Sequence, residues 1–292
     1  MRRLVLLLAL GGCDLVFGLE RNPDPPVCGP FRAPEEVPLV GLDGAHDFSV
    51  DSTGTVGMVH VNVGAWTGPH AIKKDANGMW VRDMPRDMPQ LDRLTGAHMM
   101  ANGTAFGWID RPSGPMLNQY TFASTKWNLV AGEVVESSAD RDAHAGNEIE
   151  LPIGTNVVQK FLVELRPPID DGFTDLRILQ RTPASTFWQV TGQAEPLRSA
   201  KPTINPNGGV LTADHEILVY SAQIGNQNEY RLFASRRTRD EFPIGVELII
   251  ENTPSATDFS EPWINADCTT LYFRQAETTW MTTALDDAAS RR

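Results

Sequence analysis

The chain has 292 residues, with 25 Lys and Arg against 37 Asp and Glu, for a formal net charge of −12. That balance argues against a nucleic-acid partner, whose phosphates reward clustered cationic side chains, and its ordinary meaning is solubility. The 24 Gly and 21 Pro argue against a helical body, and the Asn-Gly pairs beginning at 77, 102 and 207 are turn chemistry between short strands.

At the N-terminus Arg2 and Arg3 precede an apolar run, Leu4 to Leu10, then Gly11, Gly12 and Cys13. A basic start, a short apolar stretch and small residues before a cut site make a secretory signal. The run is shorter than the roughly 20 apolar residues that a membrane span needs. Leu10-Gly11-Gly12-Cys13 resembles the lipobox of bacterial lipoproteins, in which the cysteine is diacylated and becomes the new N-terminus. The resemblance implies a signal peptide over residues 1–12 and a lipid anchor on Cys13. It also implies residence in the bacterial cell envelope, in the periplasm or at the cell surface. Acyl chains would hold a soluble domain on the membrane without a spanning helix. Asp14 resembles the inner-membrane retention signal of some Gram-negative bacteria, and both the inner and the outer membrane stay open. Residues 13–37, with Pro23, Pro25, Pro26, Pro30 and Pro34, read as an extended tether. Residues 38–292 read as one large domain.

Past Cys13 only Cys28 and Cys268 remain. In an oxidising compartment they read as one disulfide, the alternative being two unpaired thiols. A metal centre would want a denser cluster.

Within the domain two segments repeat each other. Lys201-Pro-Thr-Ile-Asn205 leads through a polar turn to Glu216-Ile-Leu-Val-Tyr-Ser221 and then Tyr230-Arg-Leu-Phe-Ala-Ser235. Glu261-Pro-Trp-Ile-Asn265 leads through Ala-Asp-Cys to Thr270-Leu-Tyr-Phe-Arg274 and then Trp280-Met-Thr-Thr-Ala284. Apolar and polar side chains alternate with the period of half-buried strands. Pro-x-Ile-Asn, a polar turn and Leu-Tyr-Phe together resemble the WD40-like repeat of TolB-type β-propellers. The resemblance covers Glu261 to Arg274 well and Lys201 to Ser235 less fully. The usual Asp-Gly turn stands here as Asn207-Gly208 and as Asp267-Cys268.

Earlier units are marked by opening strands at Asp47-Phe-Ser-Val-Asp51, His98-Met-Met-Ala-Asn102 and Glu148-Ile-Glu-Leu-Pro152. They are marked too by an aromatic opening the last strand, at Trp80, Trp127, Trp188 and Phe242. The opening strands recur every 50 to 60 residues. The expected fold is therefore all-β, a propeller of five blades of four antiparallel strands. A sixth blade would need a further repeat within residues 139–200. No fourth strand follows Ala284, and the segment from Phe31 to Leu42 would supply it. Closure by an N-terminal strand removes the exposed edge of an open array.

No Gly-x-Ser-x-Gly elbow, P-loop, His-Glu-x-x-His or dinucleotide fingerprint is present. Asp140 to Glu148 faintly resembles a calcium loop, but His144 stands where an oxygen belongs and the segment reads as a solvated turn. No cofactor and no metal are expected. Aligning the opening strands yields one constellation, Asp47, His98, Glu148, Lys201 and Glu261, as a mixed-charge ring at one channel mouth, whose members either satisfy one another and exposed backbone or form a ligand site. The expectation is a membrane-anchored binding or scaffolding propeller with an envelope protein or a glycan as ligand. The alternative is a carbohydrate-acting hydrolase using the ring carboxylates.

Overall fold

A computed structural model describes residues 27–61, 67–86, 96–100, 102–109, 116–124, 126–131, 149–153, 156–165, 175–181, 189–193, 204–212, 216–224, 229–238, 242–253, 258–265 and 267–285. No helix among them is long and apolar enough to cross a membrane.

The described elements are all strands. A two-residue strand, β1 (Glu35–Glu36), comes first. One sheet then joins β2 (Ala45–Val50), β3 (Val56–Val61), β4 (Gly68–Lys74) and β5 (Trp80–Arg82). The next joins β6 (Gly96–Met99), β7 (Thr104–Ile109), β8 (Met116–Ala123) and β9 (Lys126–Ala131). A third joins β10 (Ile149–Ile153), β11 (Asn156–Leu165), β12 (Asp175–Arg181) and β13 (Gln189–Gln193). A fourth joins β14 (Ile204–Leu211), β15 (Ile217–Ile224), β16 (Tyr230–Arg236) and β17 (Val246–Glu247). The last has the order β1-β20-β19-β18, from β18 (Phe259–Ile264), β19 (Thr270–Gln275) and β20 (Thr278–Thr283).

Four of the described sheets are antiparallel meanders and the last adds β1 beside β20; β2 lies against β6, β14 against β18 and β18 against β2, while β11 lies against β14. Separate four-stranded antiparallel sheets packed face to face, most of them through their first strands, make a β-propeller.

Local chemistry explains the hairpins. The Asp75 carboxylate accepts from the amides of Asn77, at 2.8 Å, and Met79, at 2.9 Å, and Gly78 takes a left-handed φ of 79°. The Asn265 side chain accepts in the same way from the amides of Thr269 and Thr270, each at 2.9 Å. An Asx side chain that folds back on its own turn replaces water for those amides. Asn207-Gly208, expected as a turn, lies instead inside β14, where Asn207 pairs with Ser221 and the register shifts before Gly209. There the pair serves a bulge, another device that welcomes glycine.

The tether expected over residues 13–37 is shorter at its C-terminal end. Cys28, Phe31 and Val37 are buried in the main core, and burial of such side chains overrides the proline-rich composition. Phe31 is 0% exposed; its amide donates to Ile249 O at 2.8 Å, and the Arg32 amide donates to Thr283 O at 2.8 Å. β1 pairs with β20, Glu35 opposite Met281 and Glu36 opposite Trp280. Cys28 and Cys268 form a disulfide with Cα atoms 5.7 Å apart. A terminus so tied becomes part of the last sheet.

Candidate functional site

The polar cluster of interest lies where the first strands β2 and β18 meet. Each strand carries one extra residue against its partner: the register shifts between His46 and Ser49 and between Ser260 and Trp263. At those bulges Asp47 (φ 54°) and Glu261 (φ 51°) take left-handed backbone conformations, uncommon for residues other than glycine and typical of a bulge that re-aims a group. The Asp47 amide donates to Glu261 Oε2 at 2.7 Å. Arg274, on β19, donates from Nη1 to the other oxygen, Oε1, at 3.2 Å. Both oxygens of Glu261 are thus engaged by donors from two sheets.

Two histidines complete the cluster. His46 Nδ1 lies 3.1 Å from Asp47 Oδ2 and 3.9 Å from Glu261 Oε1. His60, on β3, sits opposite His46 in the ladder, and the ring centroids are 4.8 Å apart. Ligand-type atoms of His46, Asp47 and His60 all lie within 4.8 Å of one another. The cluster reaches solvent at its edge: the side chains of His46, Asp47 and Glu261 keep 14%, 11% and 17% exposure. Burial works to lower the His46 pKa, but the hydrogen bond and charge of Asp47, aided by Glu261, outweigh it and hold it above the ordinary 6.5.

An aromatic floor holds these groups. Phe48, next to Asp47, packs edge-on against Trp80 at 5.2 Å and against Tyr272 at 4.7 Å. The second contact joins β2 to the last sheet, so the two bulges are held together by apolar contact.

Of the five residues expected in the ring, Asp47, His98 and Glu261 are among the described residues. In four of the described sheets the first hairpin is closed by an amide: Asp51 to Val56 O, Met100 to Thr104 O, Thr212 to Ile217 O and Asn265 to Thr270 O. Counting back equally from each places Asp47, Gly96, Gly208 and Glu261 at one level. Two adjacent sheets offer a carboxylate there and two others offer glycine. His98 is two residues further along and shares its level with Ser49; it is buried at 6%. Asn205, which the repeat similarity sets beside Asn265, lies inside β14 rather than at its hairpin, where Thr212 closes the turn. Lys201, Glu148 and Cys13 lie outside the described residues.

Sequence reasoning found Asp47 and Glu261 and missed His46 and His60. A hairpin centred on Ser52-Thr53-Gly54 brings residue 60 opposite 46 or 47, which was a usable signal. The bulge decides between the two, and no sequence pattern announced it.

No family model matches the chain, and no curated protein matches it in sequence. Among solved structures it is similar to an endo-arabinase from Bacteroides thetaiotaomicron, at 9% identity over 87% of this chain and 97% of that one, with a TM-score of 0.47. It is similar to an α-L-arabinanase from Penicillium chrysogenum, at 10% identity, 85% and 78% coverage and a TM-score of 0.45. Against a prolyl endopeptidase it spans a smaller share, 82% of this chain but 33% of that one, at 10% identity and a TM-score of 0.38. The activities of those enzymes are their own.

Proposed function

We propose that the chain is a lipid-anchored cell-envelope protein whose five sheets are the blades of one closed propeller, completed by its N-terminal strand. It works by binding an envelope protein or a glycan at the seam between its first and last sheets. The observation that supports binding over catalysis is the engagement of Glu261. One oxygen accepts from the Asp47 amide at 2.7 Å and the other from Arg274 at 3.2 Å. A carboxylate held from both sides is a fixed acceptor and is poorly placed to trade a proton with a substrate. Anchoring through Cys13 rests on the lipobox resemblance.

The second reading, a carbohydrate-acting hydrolase, is favoured by one fact: Asp47 and Glu261 come from different sheets and meet at one place, as a two-carboxylate mechanism requires.

One preparation tests both. The full chain, purified from membranes, is offered soluble envelope polysaccharides, with binding and the release of reducing ends read separately. Photo-crosslinking in intact cells reads protein partners. Saturable binding or a specific crosslink, lost in Arg274→Gln and without release of reducing ends, is the expected result. Release that disappears in Asp47→Asn would establish the hydrolase instead. Cys13→Ala should free the protein from membranes, and its retention after alkaline carbonate washing would overturn the anchor.

A further inference from the structure

We propose that His46, Asp47 and His60 form a binding site for one divalent transition-metal ion of the zinc type, open to a fourth ligand from solvent or from a bound partner. The proposal deepens the binding reading by naming a ligand class at the same seam, and rests on that reading only for the seam's role.

The donor set is the first argument. Two imidazoles and one carboxylate suit Zn²⁺ and its neighbours, whereas Ca²⁺ and Mg²⁺ ask for oxygen throughout. Three protein ligands with one position left open is the arrangement of zinc sites that act on something.

The second argument is geometry. The three ligand-type atoms lie within 4.8 Å of one another, while tetrahedral zinc, with bonds of about 2.0–2.1 Å, sets neighbouring ligands about 3.3 Å apart. The widest separation must therefore close by about 1.5 Å. His46 and His60 face each other across one ladder, and Asp47 sits on a bulge beside them.

The third argument is unused capacity. His46 Nδ1 already faces Asp47 Oδ2 at 3.1 Å, but its Nε2 is buried with no hydrogen-bond partner. A buried nitrogen lone pair or N–H without a partner is costly, and rotation of this ring exchanges that cost for a metal bond. The charge balance also fits. Asp47 and Glu261 carry two negative charges, Arg274 compensates one of them at 3.2 Å, and neutral imidazoles leave one negative charge facing the cation. Glu261, bonded to the Asp47 amide, would then orient the ligand strand in the way that outer-sphere carboxylates support metal ligands.

The test uses the full chain stripped with chelator and titrated with ZnCl₂ alone by calorimetry, with Co²⁺ absorption as a reporter of four-coordinate geometry. One ion per chain is expected, with affinity falling by more than about 10-fold in each of Asp47→Asn, His46→Asn and His60→Asn, because losing a direct ligand should cost no less than losing its outer-sphere support. His98→Asn, which removes a buried imidazole elsewhere, should keep the wild-type stoichiometry. Circular dichroism checks each variant's fold. Should a histidine variant misfold, Zn²⁺-induced shifts of the ¹⁵N imidazole resonances of the unmodified protein locate the ligands instead. Absence of saturable binding, binding unchanged in folded His46→Asn and His60→Asn, or shifts confined to other histidines would overturn the site. Capture of a polysaccharide or protein by metal-free wild type that binds no Zn²⁺ would sink the metal site and leave the binding function standing. Zn²⁺ binding without any such capture would do the reverse.

Discussion

Removing the Cys28–Cys268 cross-link by the double change Cys28→Ala and Cys268→Ala should lower stability without abolishing the fold. The bond joins residues 240 positions apart, so in the denatured chain it closes most of the domain into one loop. The loop-closure entropy of such a span corresponds to on the order of 5 kcal/mol. For a domain of this size each kcal/mol shifts Tm by roughly 2–4 °C, so a drop of about 10–20 °C is expected. Non-covalent ties should keep the protein folded at room temperature. The Val37 amide donates to Thr279 O at 2.9 Å, the Leu285 amide to Pro30 O at 2.9 Å, and Thr282 Oγ1 to Arg32 O at 2.6 Å. Calorimetry of the variant beside the wild type, with and without reductant, measures the shift. A drop below about 3 °C would refute the reasoning, because the cross-link would then not restrict the denatured chain.

Phe31→Ala removes a ring that is 0% exposed and should cost about 3–5 kcal/mol in urea denaturation; a loss below about 1 kcal/mol would mean that the N-terminal strap contributes little packing. Ser49→Ala takes away the hydroxyl that accepts from the Met99 amide across two sheets at 2.8 Å, and should destabilise by about 1–3 kcal/mol because a buried donor is left unmade. Hydrogen exchange at the Met99 amide reads this locally, and unchanged protection would contradict it. Burial pushes the phenols of Tyr220 and Tyr272 up to about 12, so in an alkaline titration at 295 nm two of the four tyrosines should ionise late. The folded state then holds those protons more tightly than the unfolded chain. Stability should therefore fall as pH rises from about 10 towards 12, and ionisation of all four together near pH 10 in folded protein would be decisive against this.

Much of the seam was legible without coordinates. Alternating side chains mark strands at Tyr230 and Thr270, and the two cysteines beyond Cys13 read as a pair. Asp47 and Glu261 were singled out because each opens a repeat. Their partners were harder to see. Arg274 stands 13 residues beyond Glu261 and reaches it only because β18 and β19 pair with a bulge between Ser260 and Trp263. His46 looks like one more polar residue at a strand's edge until its ladder partner is known. The second and fourth sheets misled the alignment, since Gly96 and Gly208 have no side chain to mark the level.

What the sequence determined by itself is local: strand alternation, the turns at Asn77-Gly78 and after Asn265, and a strand in the segment from Phe31 to Leu42. These depend on contacts within a few residues, so composition and spacing carry them. The tertiary structure alone decided register. A single extra residue in β2 shifts every side chain before it relative to β3, and that residue brings His60 opposite His46 rather than Asp47. At the bulge Phe48 packs on Trp80 and Tyr272 while Asp47 turns its amide to Glu261. Tyr272 and Glu261 are distant in the chain from β2, and the choice is made only where the two sheets meet.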